Sequence, residues 1–236
     1  DPRLRAAEIA YMLQHSGASA LFTAVRHLPL IERIAAELPA LRHLVLADGA
    51  ANTPARCAGR PCHAYEAALA VRAAAAAAPD SRYARLAARP DDIASLIYTS
   101  GTTGRPKGAM LTHANFCADA EGALQVISDI GRQDRFLVVL PLFHAFSFMA
   151  NLIVPLRVGA CLQFATSLRA VADELRLFSP TILMAVPLLA EKIHARIEEG
   201  LRRQPLARLL LALRLDGLVA RGVSRKLGGR LRLIVT

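Results

Sequence analysis

Apolar positions along this 236-residue chain switch between two spacings, and the switches mark out its elements. From Arg5 to His15 they recur at helical intervals, with Ile9, Met12 and Leu13 on one face and Gly17 placed as the stop. Ala20 to Thr23 is a short β-rich run, Leu30 to Leu38 is again helical, and Leu41 to Ala47 reads as a strand. Two helix–strand units in series predict a parallel sheet. Residues 48–92 break the rhythm. Gly49, Pro54, Gly59 and Pro61 precede six alanines, Ala73 to Ala78, and Pro79. This reads as a variable surface excursion carrying one helix, about Ala64 to Ala76, because alanine has the highest helix propensity.

From Ile93 the alternation resumes. Ile93 to Thr99 is an apolar strand, followed by a Gly/Ser/Thr-rich loop, a strand at Ala109 to Leu111 and a helix from Thr112 or His113 to about Ile127. Strands are predicted at Phe136 to Leu140, Ala160 to Phe164, Thr181 to Val186 and Leu231 to Val235. Helices fill the gaps, at Phe146 to Leu156, Ser167 to Phe178, Pro187 to Glu199 and Pro205 to Lys226, the last interrupted at Gly217 and closed by Gly228-Gly229. The predicted class is α/β, with mostly parallel sheets covered by helices on both faces. No internal repeat is visible.

Composition narrows this picture. Hydrophobic residues make up 54% and charged residues 20%, which suits a packed core and excludes a disordered chain. Four cysteines exclude a disulfide scaffold. The stretch Phe136 to Leu156 carries no Asp, Glu, Lys or Arg and is long enough to span a bilayer. Pro141, His144, Asn151 and Pro155 within it favour a buried strand, a loop and a buried helix instead. The opening Asp1-Pro2-Arg3 has neither a methionine nor an apolar leader, and the end is a bare strand, so a piece of a longer, cytoplasmic protein is expected.

The formal net charge is +10, with arginine supplying all but three of the 29 basic residues. From Ala190 to Thr236 there are eleven Lys/Arg against four Asp/Glu, a net of +7. No aromatic residue follows Phe178, whereas nucleic-acid surfaces interleave basic and aromatic residues, so no nucleic-acid partner is expected. Peripheral contact of residues 190–232 with a membrane and a merely solvated face both remain readings of this basic segment.

The densest chemistry is Tyr98-Thr99-Ser100-Gly101-Thr102-Thr103-Gly104-Arg105-Pro106-Lys107-Gly108. Glycines at 101, 104 and 108 permit close backbone approach. The hydroxyls of Thr99, Ser100, Thr102 and Thr103 offer donors to phosphate oxygens, and Lys107 adds a compact positive charge. A flexible turn has the same composition. The order of residues is neither G-x-x-x-x-G-K-[ST] nor G-x-G-x-x-G.

All eleven residues match [YF]-T-S-G-[ST]-T-G-x-P-K-G, and the stretch closely resembles the signature loop of the adenylate-forming (AMP-binding) enzymes, most like the long-chain fatty acyl-CoA synthetases. Thr112-His113-Ala114-Asn115, Pro141-Leu142-Phe143-His144-Ala145-Phe146 and Pro180-Thr181 through Pro187 resemble the segments that follow it in that family. The resemblance implies an acid–thiol ligase. A carboxylate attacks the α-phosphate of ATP, aided by Mg²⁺, giving acyl-adenylate and pyrophosphate, and coenzyme A then takes the acyl group. It implies that Thr99, Ser100, Gly101, Thr102, Thr103, Gly104 and Lys107 hold the β- and γ-phosphates, and that His144 is the catalytic-site residue beside the acyl carboxylate. It also implies further motifs and a mobile C-terminal domain beyond residue 236, so residues 1–236 alone are expected to be inactive.

The acid is constrained by charge. An α-amino acid needs a counter-ion for its ammonium group, yet no acidic residue lies between Asp134 and Asp173. A fatty acid is therefore expected. The alternatives are a fatty acyl-AMP ligase or aryl-acid ligase and, in another class, a non-catalytic nucleotide-binding or scaffold protein. Cys57, Cys62 and His63 lack the spacing and ligand number of a zinc module, and no metal ligands are assigned. Cys117 and Cys161 are expected to be buried, and Lys192 and Lys226 to be at the surface.

Overall fold

The structure, a computed structural model, describes residues 4–49, 53–76, 87–99, 105–205 and 216–236. Two compact units divide the chain, Asp1–His113 and Ala114–Thr236.

In the first unit α1 spans Ala6–His15. The Glu8 carboxylate accepts the Arg5 backbone N–H at 2.7 Å, occupying one of the donors a helix start leaves open. Gly17, at φ +63, ends it. β1 (Ala20–Thr23), α2 (Leu28–Ile34) and β2 (His43–Leu46) follow as the apolar spacing predicts. Two further strands, β3 (Arg56–Cys57) and β4 (Arg60–Ala64), lie in the segment read from sequence as a surface excursion. β4 runs parallel beside β2, and the sheet order is β1-β2-β4-β3. Ala58 and Gly59 both take positive φ and close the two-residue β3–β4 turn, which needs that geometry to match strand twist. Arg60 fixes this hairpin in place. Its guanidinium donates to the carbonyls of Ala35, Leu38 and Leu41 at 2.7–2.8 Å, adding to the backbone N–H bonds that Ala35 and Leu38 already accept. The core includes Ile31, Ile34, Leu44 and Leu46, with Cys57 among them. α3 is Tyr65–Ala76.

β5 (Ile93–Thr99) and β6 (Lys107–Thr112) complete this unit as a separate two-stranded antiparallel hairpin. The signature segment thus connects hairpin strands, not the carboxyl end of a parallel strand. Ile93, Leu96 and Met110 are exposed on it.

The second unit contains α4 (His113–Val126) from its second residue on and carries one fully parallel sheet of β7 (Arg135–Val138), β8 (Cys161–Phe164), β9 (Ile182–Met184) and β10 (Leu233–Val235), in the order β10-β9-β7-β8. Alternate residues of β7 face opposite sides. Leu137 packs with Leu175, Phe178 and Leu183 on one side, and Phe136 with Ile130, Ile182 and Met184 on the other. Helices include α7 (Val171–Phe178), α8 (Pro187–Arg202) and α9 (Asp216–Lys226), both faces of the sheet being covered.

The helix expected at Phe146 to Leu156 is built in three parts, α5 (Ala145–Phe148), a π-helical turn over Met149–Ile153 and α6 (Val154–Val158). Buried Ser147 donates to the Leu140 carbonyl at 3.0 Å, and buried Asn151 donates to Ser147 at 3.2 Å. This polar chain joins the π turn to the end of β7. No helix among the described residues is long and apolar enough to cross a membrane.

Candidate functional site

The hairpin register gives the signature segment its geometry. Tyr98 pairs with Gly108, and Thr99 with Lys107, so the segment's two ends are cross-strand neighbours. Thr99 and Lys107 are both exposed where the strands open into the connection. Ser100, Gly101, Thr102, Thr103 and Gly104 lie outside the described residues. On the returning limb, Arg105 and Pro106 line an open cleft of about 420 Å³ with Glu8, Tyr11, Gln14 and Glu37. Two carboxylates at its wall disfavour a polyphosphate there, and Lys107 does not line it.

Tyr98 ties the hairpin to α1. Its hydroxyl donates to the Met12 carbonyl at 3.3 Å and lies 2.9 Å from His15 Nδ1. His15 stacks on Tyr11, with ring centroids 5.3 Å apart. Across the hairpin, a Cβ added at Gly108 would stand 3.3 Å from two atoms of the Tyr98 ring. Burial pushes the Tyr98 phenol up from its ordinary pKa. Sequence reasoning placed Tyr98 in the segment but gave it no task, because its partners stand 83 and 86 positions away.

In the second unit, topology marks a second location. The chain runs from β7 to β8 on one side, then returns to place β9 and β10 on the other. Open parallel sheets bind ligands outside the carboxyl ends of strands at such a reversal. His144 stands in the connection leaving β7, immediately before α5, and Val186-Pro187 leaves β9. His144 is exposed, and its ring lies 4.3 Å from that of Phe143. Phe143, Phe146, Val186 and Leu188 are exposed apolar residues of these two connections. Apolar surface at the sheet's carboxyl end, with one imidazole, can receive an organic acid whose tail is apolar.

The acidic residues nearest in sequence are already engaged. Asp134 is buried and accepts from the Thr181 hydroxyl at 2.6 Å, the Gly131 amide at 2.9 Å and Arg232 at 3.0 Å. Burial alone pushes its carboxyl up, but Arg232, Thr181 and Gly131 outweigh that and hold it below the ordinary carboxylate range. Arg232 also pairs with Asp129. On α7, the Glu174 Oε1 accepts the hydroxyl and backbone N–H of Thr166 at 2.6 and 2.9 Å, which lowers its pKa. Its Oε2 is buried without a partner among the described residues.

The cysteine expectations need correction. Cys117 and Cys161 are exposed, because each occupies an outward position on its helix or edge strand. Cys57 is the buried one, and burial raises its thiol pKa. His63 stands not with the cysteines but beside His43, 3.3 Å between Nδ1 and Nε2. Among the described residues no three His, Cys, Asp or Glu side chains are grouped to hold a metal. Lys192 and Lys226 are exposed, as expected.

Comparison with known proteins follows the same lines. A family model described as "AMP-binding enzyme" matches residues 1–236. Long-chain-fatty-acid–CoA ligase 6 of Mus musculus is 34% identical over 179 residues, 66% of this chain and 25% of that protein. Long-chain-fatty-acid–CoA ligase FadD15 of Mycobacterium tuberculosis is 33% identical over 202 residues, 83% of this chain and 31% of that protein. Among solved structures, anthranilate CoA ligase AuaEII in complex with anthranoyl-AMP is 30% identical, with a TM-score of 0.61 over 80% of this chain and 35% of that one. The adenylation domain of a carboxylate reductase from Mycobacterium chelonae shares the fold, at a TM-score of 0.73 over 98% of this chain and 20% identity. The chain spans about a quarter to a third of the length of these curated relatives.

Proposed function

The chain belongs to the AMP-binding enzyme family, and on that premise we propose that the whole protein activates a fatty carboxylic acid with ATP and passes the acyl group to coenzyme A. In the first step a carboxylate oxygen bonds to the α-phosphorus of ATP, and the bond to pyrophosphate breaks. In the second, a thiol sulfur bonds to the acyl carbon, and AMP leaves with the electron pair. The adenylate supplies the leaving group that a resonance-stabilised carboxylate lacks.

The observation that carries this reading is the unbroken eleven-residue match from Tyr98 to Gly108. Thr99, Ser100, Gly101, Thr102, Thr103, Gly104 and Lys107 are assigned to the phosphates of ATP. Donors and a fixed cation aimed at developing phosphate charge are the main device of such chemistry. His144 is assigned to the acid, at the carboxyl end of β7, as a wall of the acyl pocket. Mg²⁺ would supply further charge neutralisation on the phosphates. No carboxylate cluster among the described residues fits that ion, so no step is assigned to it through this chain.

A fatty substrate is supported by the identity to long-chain-fatty-acid–CoA ligases. It is supported also by Asp134, the acid preceding His144 most closely in sequence, being held by Arg232 and Thr181 and so not free to pair with an ammonium group. An aryl acid is the second reading, favoured by the 30% identity to an anthranilate CoA ligase. Exchange of labelled pyrophosphate into ATP by the full-length protein, across fatty, aryl and α-amino acids, separates these readings. The largest exchange is expected with fatty acids, and a thioester on adding coenzyme A. Exchange with aryl acids alone would select the second reading. No acid-dependent exchange at all would favour a non-catalytic protein.

Peripheral membrane contact is assigned to residues 190–232. Arg221, Arg225, Lys226 and Arg230 are exposed there, with Leu218 exposed on the face of α9 that carries Arg221 and Arg225. Sedimentation with anionic vesicles that is unchanged when these four are replaced by glutamine would remove this assignment.

A further inference from the structure

We propose that Tyr98 is a positioning residue, a clasp that holds the β5–β6 hairpin, from which the phosphate-binding segment springs, against the C-terminal turn of α1. The proposal deepens the reading of that segment as the ATP site and rests on it.

A two-stranded hairpin is only marginally stable by itself, and this one leaves Ile93, Leu96 and Met110 exposed. A loop that must aim donors at a polyphosphate needs its ends held, because small misplacement costs rate or affinity. Tyr98 stands at the root of the connection, one residue before Thr99, which pairs with Lys107. Three contacts act through it. Its hydroxyl donates to the Met12 carbonyl in the last turn of α1, a carbonyl that also accepts the Ser16 backbone N–H. Its oxygen lies 2.9 Å from His15 Nδ1, within hydrogen-bond reach. Its ring lies over Gly108, where even a methyl group would be tight. The first and last residues of the signature segment therefore form one unit: the aromatic ring covers the glycine, and the glycine leaves room for the ring.

The test uses the full-length protein with Tyr98→Phe, His15→Ala and His15→Asn. Phenylalanine keeps the ring over Gly108 and loses the hydroxyl. The asparagine amide can restore a hydrogen-bonding group near Nδ1. For Tyr98→Phe, amide hydrogen exchange in residues 93–99 and 105–112, without nucleotide, is expected to quicken by about threefold to tenfold, the loss of one or two net hydrogen bonds. The KM for ATP is expected to rise by a similar factor with kcat within about twofold. His15→Ala should show part of this effect and His15→Asn should reverse it. Hairpin exchange unchanged in Tyr98→Phe overturns the clasp. Faster exchange with an unchanged KM overturns its positioning role. If wild-type protein shows no ATP-dependent activity, the adenylation reading fails, while the exchange measurement still decides the clasp.

Discussion

At the scale of single residues, the candidate for the acid site is an imidazole. His144 is exposed in the connection leaving β7 and is next to the Phe143 ring. If it walls the acyl pocket, His144→Ala removes contact with the acid and little else. We expect kcat/KM for the acid to fall by about tenfold, within the range seen for lost pocket contacts, with the KM for ATP little changed. Steady-state kinetics on the full-length protein check this. An equal loss in both substrates would place His144 elsewhere. The sequence disclosed Thr99, Lys107 and His144 as candidates because each belongs to a local string. It did not disclose the task of Tyr98, whose partners are on α1, nor that of Arg60, whose three acceptors lie 19 to 25 positions away.

At the scale of elements, apolar spacing located most helices and strands, and β1 and β5 were read at their observed bounds. It failed at β3 and β4. These strands contain arginine, proline and histidine, and their position is set by the Arg60 contacts and the Ala58–Gly59 turn, not by alternation. It also read Phe146 to Leu156 as one regular helix, since nothing in an apolar run announces that Ser147 and Asn151 will be bonded inside it. Two features of the parallel sheet's surround lead to stability predictions. Gly228 has φ +92, and a Cβ there would meet the Leu175 carbonyl and come within 2.8 Å of Ser179 Cα. Gly228→Ala should therefore destabilise by about 2–4 kcal/mol, read as a lowered urea midpoint. Asp134 joins the start of β7 to Arg232, just before β10. Asp134→Ala should cost on the order of 2–3 kcal/mol near neutral pH, less than a fully buried pair because Arg232 keeps 34% of its side chain exposed. The folded carboxyl has a lowered pKa, so its contribution is present above the unfolded value. It is lost as pH falls through the lower folded one. The gap between wild type and Asp134→Ala should shrink below about pH 4. A gap that widens on acidification would reverse that sign.

At the scale of the whole molecule, the chain forms two compact units, Asp1–His113 and Ala114–Thr236. The division places the hairpin in the same unit as the first sheet. The fold class was legible because helix and strand periods alternate. The separate hairpin was not, since a strand–loop–strand reads alike in parallel and antiparallel settings. Thr99 and Lys107 belong to the first unit and His144 to the second. In the proposed reaction Thr99 and Lys107 serve the phosphates, which every acid substrate shares. Loss of the phosphate contacts should then stop activation of every acid equally. That makes Lys107 the most informative position. The deciding measurement is fatty-acid-dependent exchange of labelled pyrophosphate into ATP by full-length wild type and Lys107→Ala. The account predicts robust exchange by wild type and a fall of about tenfold to a hundredfold in the variant, the loss of one charged phosphate contact. Exchange that is equal in the two proteins would contradict it.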